Sequence, residues 1–188
     1  MSSREDNQVK RVLQAYHEAG HAVVWHIVGG LVEEVSIASS QAGSRGYCRF
    51  GFLLQREGHP SPDDWLQRGS IDPRMVTANP IGMLAMASYF ASFGGEDEYL
   101  EESERDDLEK IHSLLLHLSS EAQERSTIQD AGWKEAQQIL SDHWSPVQAL
   151  ATGLLKQRTL DGRDAHSIIW RTIGYPEADW RFGALNLP

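Results

Sequence analysis

The chain has 188 residues, 40% of them apolar, a length that suits one domain spanning 1–188 with a sizeable core. Its formal net charge of -10 argues against nucleic acid or an anionic membrane as the main partner. The lone Cys48 excludes an internal disulfide or a cysteine metal cluster and suits a reducing cytoplasm.

From Val9 to Val28 the apolar residues Val9, Val12, Leu13, Tyr16, Val23, Val24, Ile27 and Val28 recur at helical spacing, and Gly29-Gly30 closes the run. This predicts a buried helix. Within it stands His17-Glu18-Ala19-Gly20-His21. Residues four apart on a helix differ by roughly 40° around its axis, so both imidazoles can grip one ion. Glu18 lies on a neighbouring flank, where its carboxylate can reach a metal-bound water and act as general base. Leu13, Val24 and Val28 share the histidine face, which turns both rings toward the interior. Buried polar rings need partners, and one zinc ion would serve both. His26 falls on the opposite side of the helix and reads as a surface or packing residue.

Residues 34–38 and 47–54 carry β-branched and aromatic side chains around the turn Gly43-Ser44-Arg45-Gly46, which predicts two antiparallel strands. Residues 56–79, with Pro60, Pro62 and Pro73, read as a loop insertion, with a short helix at 63–68. Pro80 opens an apolar helix through Phe93, ended by Gly94-Gly95. A long helix is expected from Ser103 to Glu124. Thr127 caps another to His143, Ser145-Pro146 caps a third to Arg158, and Asp161 to Thr172 completes the set. Residues 174–188 lack periodicity and are expected to fold back on the core or mediate self-association. The fold class is therefore mainly α with a small antiparallel β-hairpin or sheet. No secretory signal and no apolar run of bilayer length is present, so a cytoplasmic protein without membrane insertion is expected.

A catalytic zinc takes three protein ligands and keeps one position for water. A third histidine six residues past the second would require Gly at 24 and His at 27, where Val24 and Ile27 stand. A distant ligand is needed. The acidic stretch from Glu96 to Glu109 runs into the apolar positions Leu108, Ile111, Leu114, Leu115 and Leu118. Most of it reads as solvated charge. Asp106 and Asp107 sit at the boundary, and spacing does not choose between them. His59, His112, His117, His143 and His166 are unmotivated as ligands.

The stretch Ala15-Tyr16-His17-Glu18-Ala19-Gly20-His21-Ala22-Val23-Val24 resembles the zinc signature in the peptidase domain of FtsH-type ATP-dependent proteases. Val35-Ser36-Ile37 followed by Gly46-Tyr47 resembles that family's strand pair. Asp106-Asp107-Leu108-Glu109-Lys110 resembles its Asn-Asp-aliphatic-Glu-Arg segment, and Leu154-Leu155 through Thr159-Leu160-Asp161-Gly162 its carboxy-terminal helical segment. The similarity covers about residues 9–170. It implies the FtsH peptidase fold, a Zn2+ cofactor and Asp107 as third ligand. The family's transmembrane helices, ATPase module and Gly-rich lysine loop have no counterpart here, and its Ala-Ala-Glu stretch reads Leu84 to Ser92.

The expectation is a zinc metallopeptidase in which His17, His21 and Asp107 hold the ion and Glu18 is the general base. Polypeptide would be the substrate, aligned on a hairpin edge, either 35–38 or 47–52. Without a fused motor, such a site cuts flexible segments or peptides unless a separate ATPase delivers substrate. A homo-oligomer is compatible with the sequence. Two alternatives are a non-catalytic zinc-binding interaction module derived from a protease, and a regulatory protease with one dedicated partner.

Overall fold

The computed structural model describes residues 3–27, 31–38, 46–51 and 107–174, apart from 108, 110, 114 and 117. The elements, in order, are α1 (Ser3–Ile27), β1 (Leu31–Ser36), β2 (Tyr47–Gly51), helical residues between 107 and 118, α2 (Ala122–Asp142), α3 (Trp144–Gln157), β3 (Thr159–Asp161) and α4 (Gly162–Ile173). The architecture is mainly helical with one three-stranded antiparallel sheet of order β2-β1-β3. The predicted loop at 56–79, the helix from Pro80, the turn residues 43–45, strand residues 52–54 and the tail beyond 174 lie outside the described residues. Among the described residues, no helix is long and apolar enough to cross a membrane.

Helix α1 is the spine. It begins six residues before the expected Val9, because Ser3 to Gln8 add a polar helical extension that apolar periodicity does not detect. Every residue from His17 to Trp25 is buried, so this half of the helix is enclosed on all sides rather than amphipathic. Ala15, Ala19 and Ala22 are fully buried, and small side chains there allow close approach of neighbours. Ala19, Val23, Val35, Val147, Leu150, Leu154, Leu160 and Ile169 belong to one core joining α1, α3, α4 and the sheet. Tyr16 stacks on Trp144 with ring centroids 5.7 Å apart, and Trp25 donates to the Leu31 carbonyl at 3.1 Å. The indole thereby ties the end of α1 to the start of β1.

Strand β1 is central, and its register shifts between Val32 and Glu34. Val32, Val35 and the adjacent Ser36 are all buried, so both faces of β1 are covered. On one side Val35 pairs with Cys48 of β2, and on the other with Leu160 of β3. This corrects two expectations. Residues 159–160 form a strand instead of a link between helices, and the 35–36 stretch is not an edge. Among the described residues the two edges of the sheet are β2 and β3, each paired with β1 on one side only.

The third strand follows from how α3 ends. Arg158 adopts a left-handed conformation (φ 66°), its N–H donates to the Leu154 carbonyl at 2.7 Å, and the chain reverses. The Arg158 carbonyl then accepts from the Ile37 N–H at 2.8 Å, and the Ser36 and Thr159 hydroxyls meet at 2.7 Å. Asp161 caps α4 by accepting from the Asp164 N–H at 2.8 Å. Gly162 is required for close approach: a Cβ there would lie 2.2 Å from the Val32 carbonyl oxygen.

The helix expected over 103–124 instead breaks at Ser119, and α2 starts at Ala122 rather than after Thr127. Ser119 explains the position. Its Oγ accepts from the Glu121 N–H at 3.0 Å and donates to the Glu124 carboxylate, while Arg125 donates to its carbonyl at 2.9 Å. Thr127 lies inside α2, where its hydroxyl donates back to the Gln123 carbonyl. Ile111 and Leu115 form a second small core with the partly buried Leu118 and Ile128, packing the 107–118 segment on α2.

Candidate metal centre

The enclosed half of α1 carries His17, Glu18 and His21, and the 107–118 segment brings Asp107 against them. All four are buried, none more than 6% exposed. His17 Nε2 and His21 Nε2 lie 2.9 Å apart, and each is 3.1 Å or less from Asp107 Oδ2, at 3.1 and 3.0 Å respectively. The rings themselves stand nearly perpendicular, at 84°. One turn of helix thus converges two nitrogens from a single element onto a carboxylate that is 90 positions distant from His17 in sequence.

Three atoms in so tight a triangle do not satisfy one another by hydrogen bonding alone. Each neutral imidazole carries one N–H, and if both Nε2 atoms donate to Asp107 the two N–H groups crowd each other along the 2.9 Å edge. If one Nε2 keeps its lone pair, that ring loses its bond to the carboxylate. A single cation meets all three donors at once. Tetrahedral zinc with bonds near 2.0–2.1 Å sets its donors about 3.3 Å apart, within a few tenths of an ångström of the separations here. The residues present therefore fit a metal ion, and His17, His21 and Asp107 together can hold one. Burial raises the Asp107 carboxyl, but the hydrogen bonds and charges of His17 and His21 outweigh it and hold the group well below the usual carboxylate range. It is an anion, as a ligand must be.

Glu18 contributes no atom to this group. Its Oε1 points at the entrance to β2, beside Gly46. Cys48, two residues on, also feels the Glu18 charge: burial first and that negative neighbour second push its thiol well above the ordinary value. Cys48 is accordingly a neutral, packing residue rather than a ligand. His112 is exposed, as expected of a non-ligand. Asp106, His59 and His117 lie outside the described residues.

A second polar cluster escaped the sequence reading. His26 and His166 approach through their Nδ1 atoms at 2.7 Å, Trp170 donates to His26 Nε2 at 2.8 Å, and the Val32 N–H reaches toward His166 Nε2 at 3.3 Å. His166 and Trp170 are four apart on α4, so a shared polar face was readable, but its partner on α1 was not. Two neutral rings offer only two lone pairs to these three contacts, and one added proton removes one of them. Burial, with His166 and then His143 nearby, pushes His26 down to about 3 from 6.5, and burial also lowers His166. The native rings are therefore neutral at pH values where unfolded histidines take up protons. This contribution to stability is present above pH 6.5 and is lost as pH falls toward 3, by about 1.6 kcal/mol between pH 6.5 and 5 for one such group. Thermal melts across that range should show a steeper acid loss for the native protein than for His26→Gln. Equal slopes would remove His26 as the cause.

No protein-family model matches the chain, and no curated protein matches it either.

Proposed function

We propose that the protein is a zinc-dependent metallopeptidase of the FtsH peptidase type, acting on flexible segments or peptides. The observation that carries this reading is the convergence of His17, His21 and Asp107 within 3.1 Å of one another beside a buried carboxylate, Glu18, that ligates nothing in the group. Two imidazoles and one carboxylate form a donor set of catalytic rather than structural zinc sites, which close with four protein ligands. A structural site also has no use for a base next to it.

When bound, zinc supplies a Lewis acid for the scissile carbonyl and lowers the pKa of water at its open position to about 7. The chain's own residues do the remainder. Asp107 balances part of the ion's charge and anchors the 107–118 segment to α1. Glu18 accepts the proton lost by the attacking water and returns it to the leaving amine nitrogen. Its burial holds the carboxylate in one orientation and keeps competing solvent away. Substrate pairs by main-chain hydrogen bonds along β2, the longer of the two edge strands and the one whose start lies beside Glu18; such pairing tolerates many sequences. A separate ATPase would extend the substrate range to folded proteins, and a cytoplasmic setting suits the single free thiol.

The decisive experiment uses the full chain, its metal content measured, with unfolded casein and a peptide library as substrates. Cleavage that a chelator abolishes and one equivalent of zinc restores is the expected result. One zinc per chain without cleavage of either substrate would overturn the reading of a peptidase acting on flexible segments at large and leave a binding module or a protease with one dedicated partner.

A further inference from the structure

Gly46 precedes β2 and occupies a space with three walls. A Cβ at this position would lie 2.7 Å from Glu18 Oε1, 2.7 Å from the Ser36 carbonyl oxygen and 2.8 Å from Gln14 Nε2. Gln14 stands one helical turn before Glu18, so α1 presents two side-chain ends to the same point of the neighbouring backbone. The carbonyl belongs to β1, whose pairing of Ser36 with Tyr47 fixes the distance between the strands. Of the three walls, Gln14 and Glu18 are side-chain ends and the Ser36 carbonyl is backbone. The Ser36 carbonyl is locked in the sheet, and Glu18 would have to leave the orientation that its role demands.

We propose that Gly46 is a positioning residue for Glu18: the missing side chain lets the β2 entrance close over the carboxylate and hold Oε1 in one place. This rests on the peptidase reading for its catalytic consequence, although the contact itself does not. Any larger residue at 46 drives its Cβ into Glu18 from the sheet side and turns the carboxylate away. None of the three nearest atoms belongs to His17, His21 or Asp107. The same strand is the one proposed to pair with substrate, so one backbone segment both presents the peptide and aligns the base that acts on it.

The test is a double-mutant cycle with Gly46→Ala and Glu18→Ala in the full chain, read by thermal unfolding with and without zinc, together with steady-state cleavage by Gly46→Ala. Neighbours in contact give non-additive effects. The melting temperature should fall on Gly46→Ala in the native background and fall by less in the Glu18→Ala background, where one of the two opposing oxygens is gone and the Ser36 carbonyl remains. In Gly46→Ala, zinc content should stay at one per chain, and kcat should drop at least tenfold and by a larger factor than KM changes. A purely structural glycine would not separate kcat from KM. If Gly46→Ala does not fold alone, the Gln14→Ala background removes the third neighbour and supports the same comparison. Equal melting losses in both Glu18 backgrounds would overturn the contact, and an unchanged kcat would overturn the positioning role. Should the native chain bind zinc and cleave nothing, the peptidase reading fails by itself, and the melting cycle still decides whether Gly46 holds Glu18.

Discussion

Glu18→Gln is expected to retain one zinc per chain and to lose about 10²–10⁴-fold in turnover, the contribution typical of a positioned general base. The substitution keeps the size of the side chain and its place beside Gly46, so the packing of α1 on β2 is preserved. What it removes is the capacity to take a proton. None of the three converging donor atoms belongs to Glu18, which is why metal content should not follow activity down. Metal analysis and casein cleavage on the same preparation check both halves. Full activity in the variant would eliminate Glu18 as the base, and loss of zinc would mean that it ligates the ion after all.

Asp107→Asn should do the opposite, removing metal and activity together. The amide fits the same space but brings no charge, leaving two neutral imidazoles to hold a divalent ion in a buried site. Loss of a direct ligand should weaken zinc binding by more than the 10–100-fold typical of losing an outer hydrogen-bond partner. Folding stability reports the same event. An ion that binds only the native state, present at about 100 times its Kd, stabilises by about 2.7 kcal/mol, or about 5–10 °C in melting temperature for a chain of this size. That zinc-dependent rise should appear in the native protein and collapse in Asp107→Asn. A variant that still gains the full shift would show that the carboxylate is not a ligand.

The site was partly legible because its larger half is local. His17 and His21 belong to one helix, whose apolar spacing predicted that they face inward, and both are buried. Asp107 was a different matter: spacing left Asp106 and Asp107 equal, and the choice of Asp107 came from the resemblance of its segment to a known one. The structure brings Asp107 to the histidines. Strand β3 was not legible, since three residues carry no periodicity and its pairing depends on Arg158 taking a left-handed turn that is ordinarily given to glycine. The break at Ser119 was readable in part, since Ser119-Ser120 ahead of Glu121 and Gln123 is a helix-start pattern, but the helix formers around it favoured one long helix, and the Ser119 hydroxyl, satisfied from two directions, marks the break. His26 and His166 were unreadable for the reason that makes Asp107 hard to find. They are 140 positions apart, and periodicity within one helix says nothing of which other helix completes the contact.

That ninety-residue separation between the first histidine and the aspartate has a temporal consequence. Closing a flexible loop of such length costs about 4 kcal/mol in chain entropy beyond a constant contribution, so a nascent polypeptide carries a bidentate imidazole pair long before it owns a complete ion cage. The three-donor group is completed only with tertiary closure. On the proposed peptidase function, a chain still emerging from synthesis, extended and vulnerable, would thereby be shielded from its own chemistry and from that of equally immature copies.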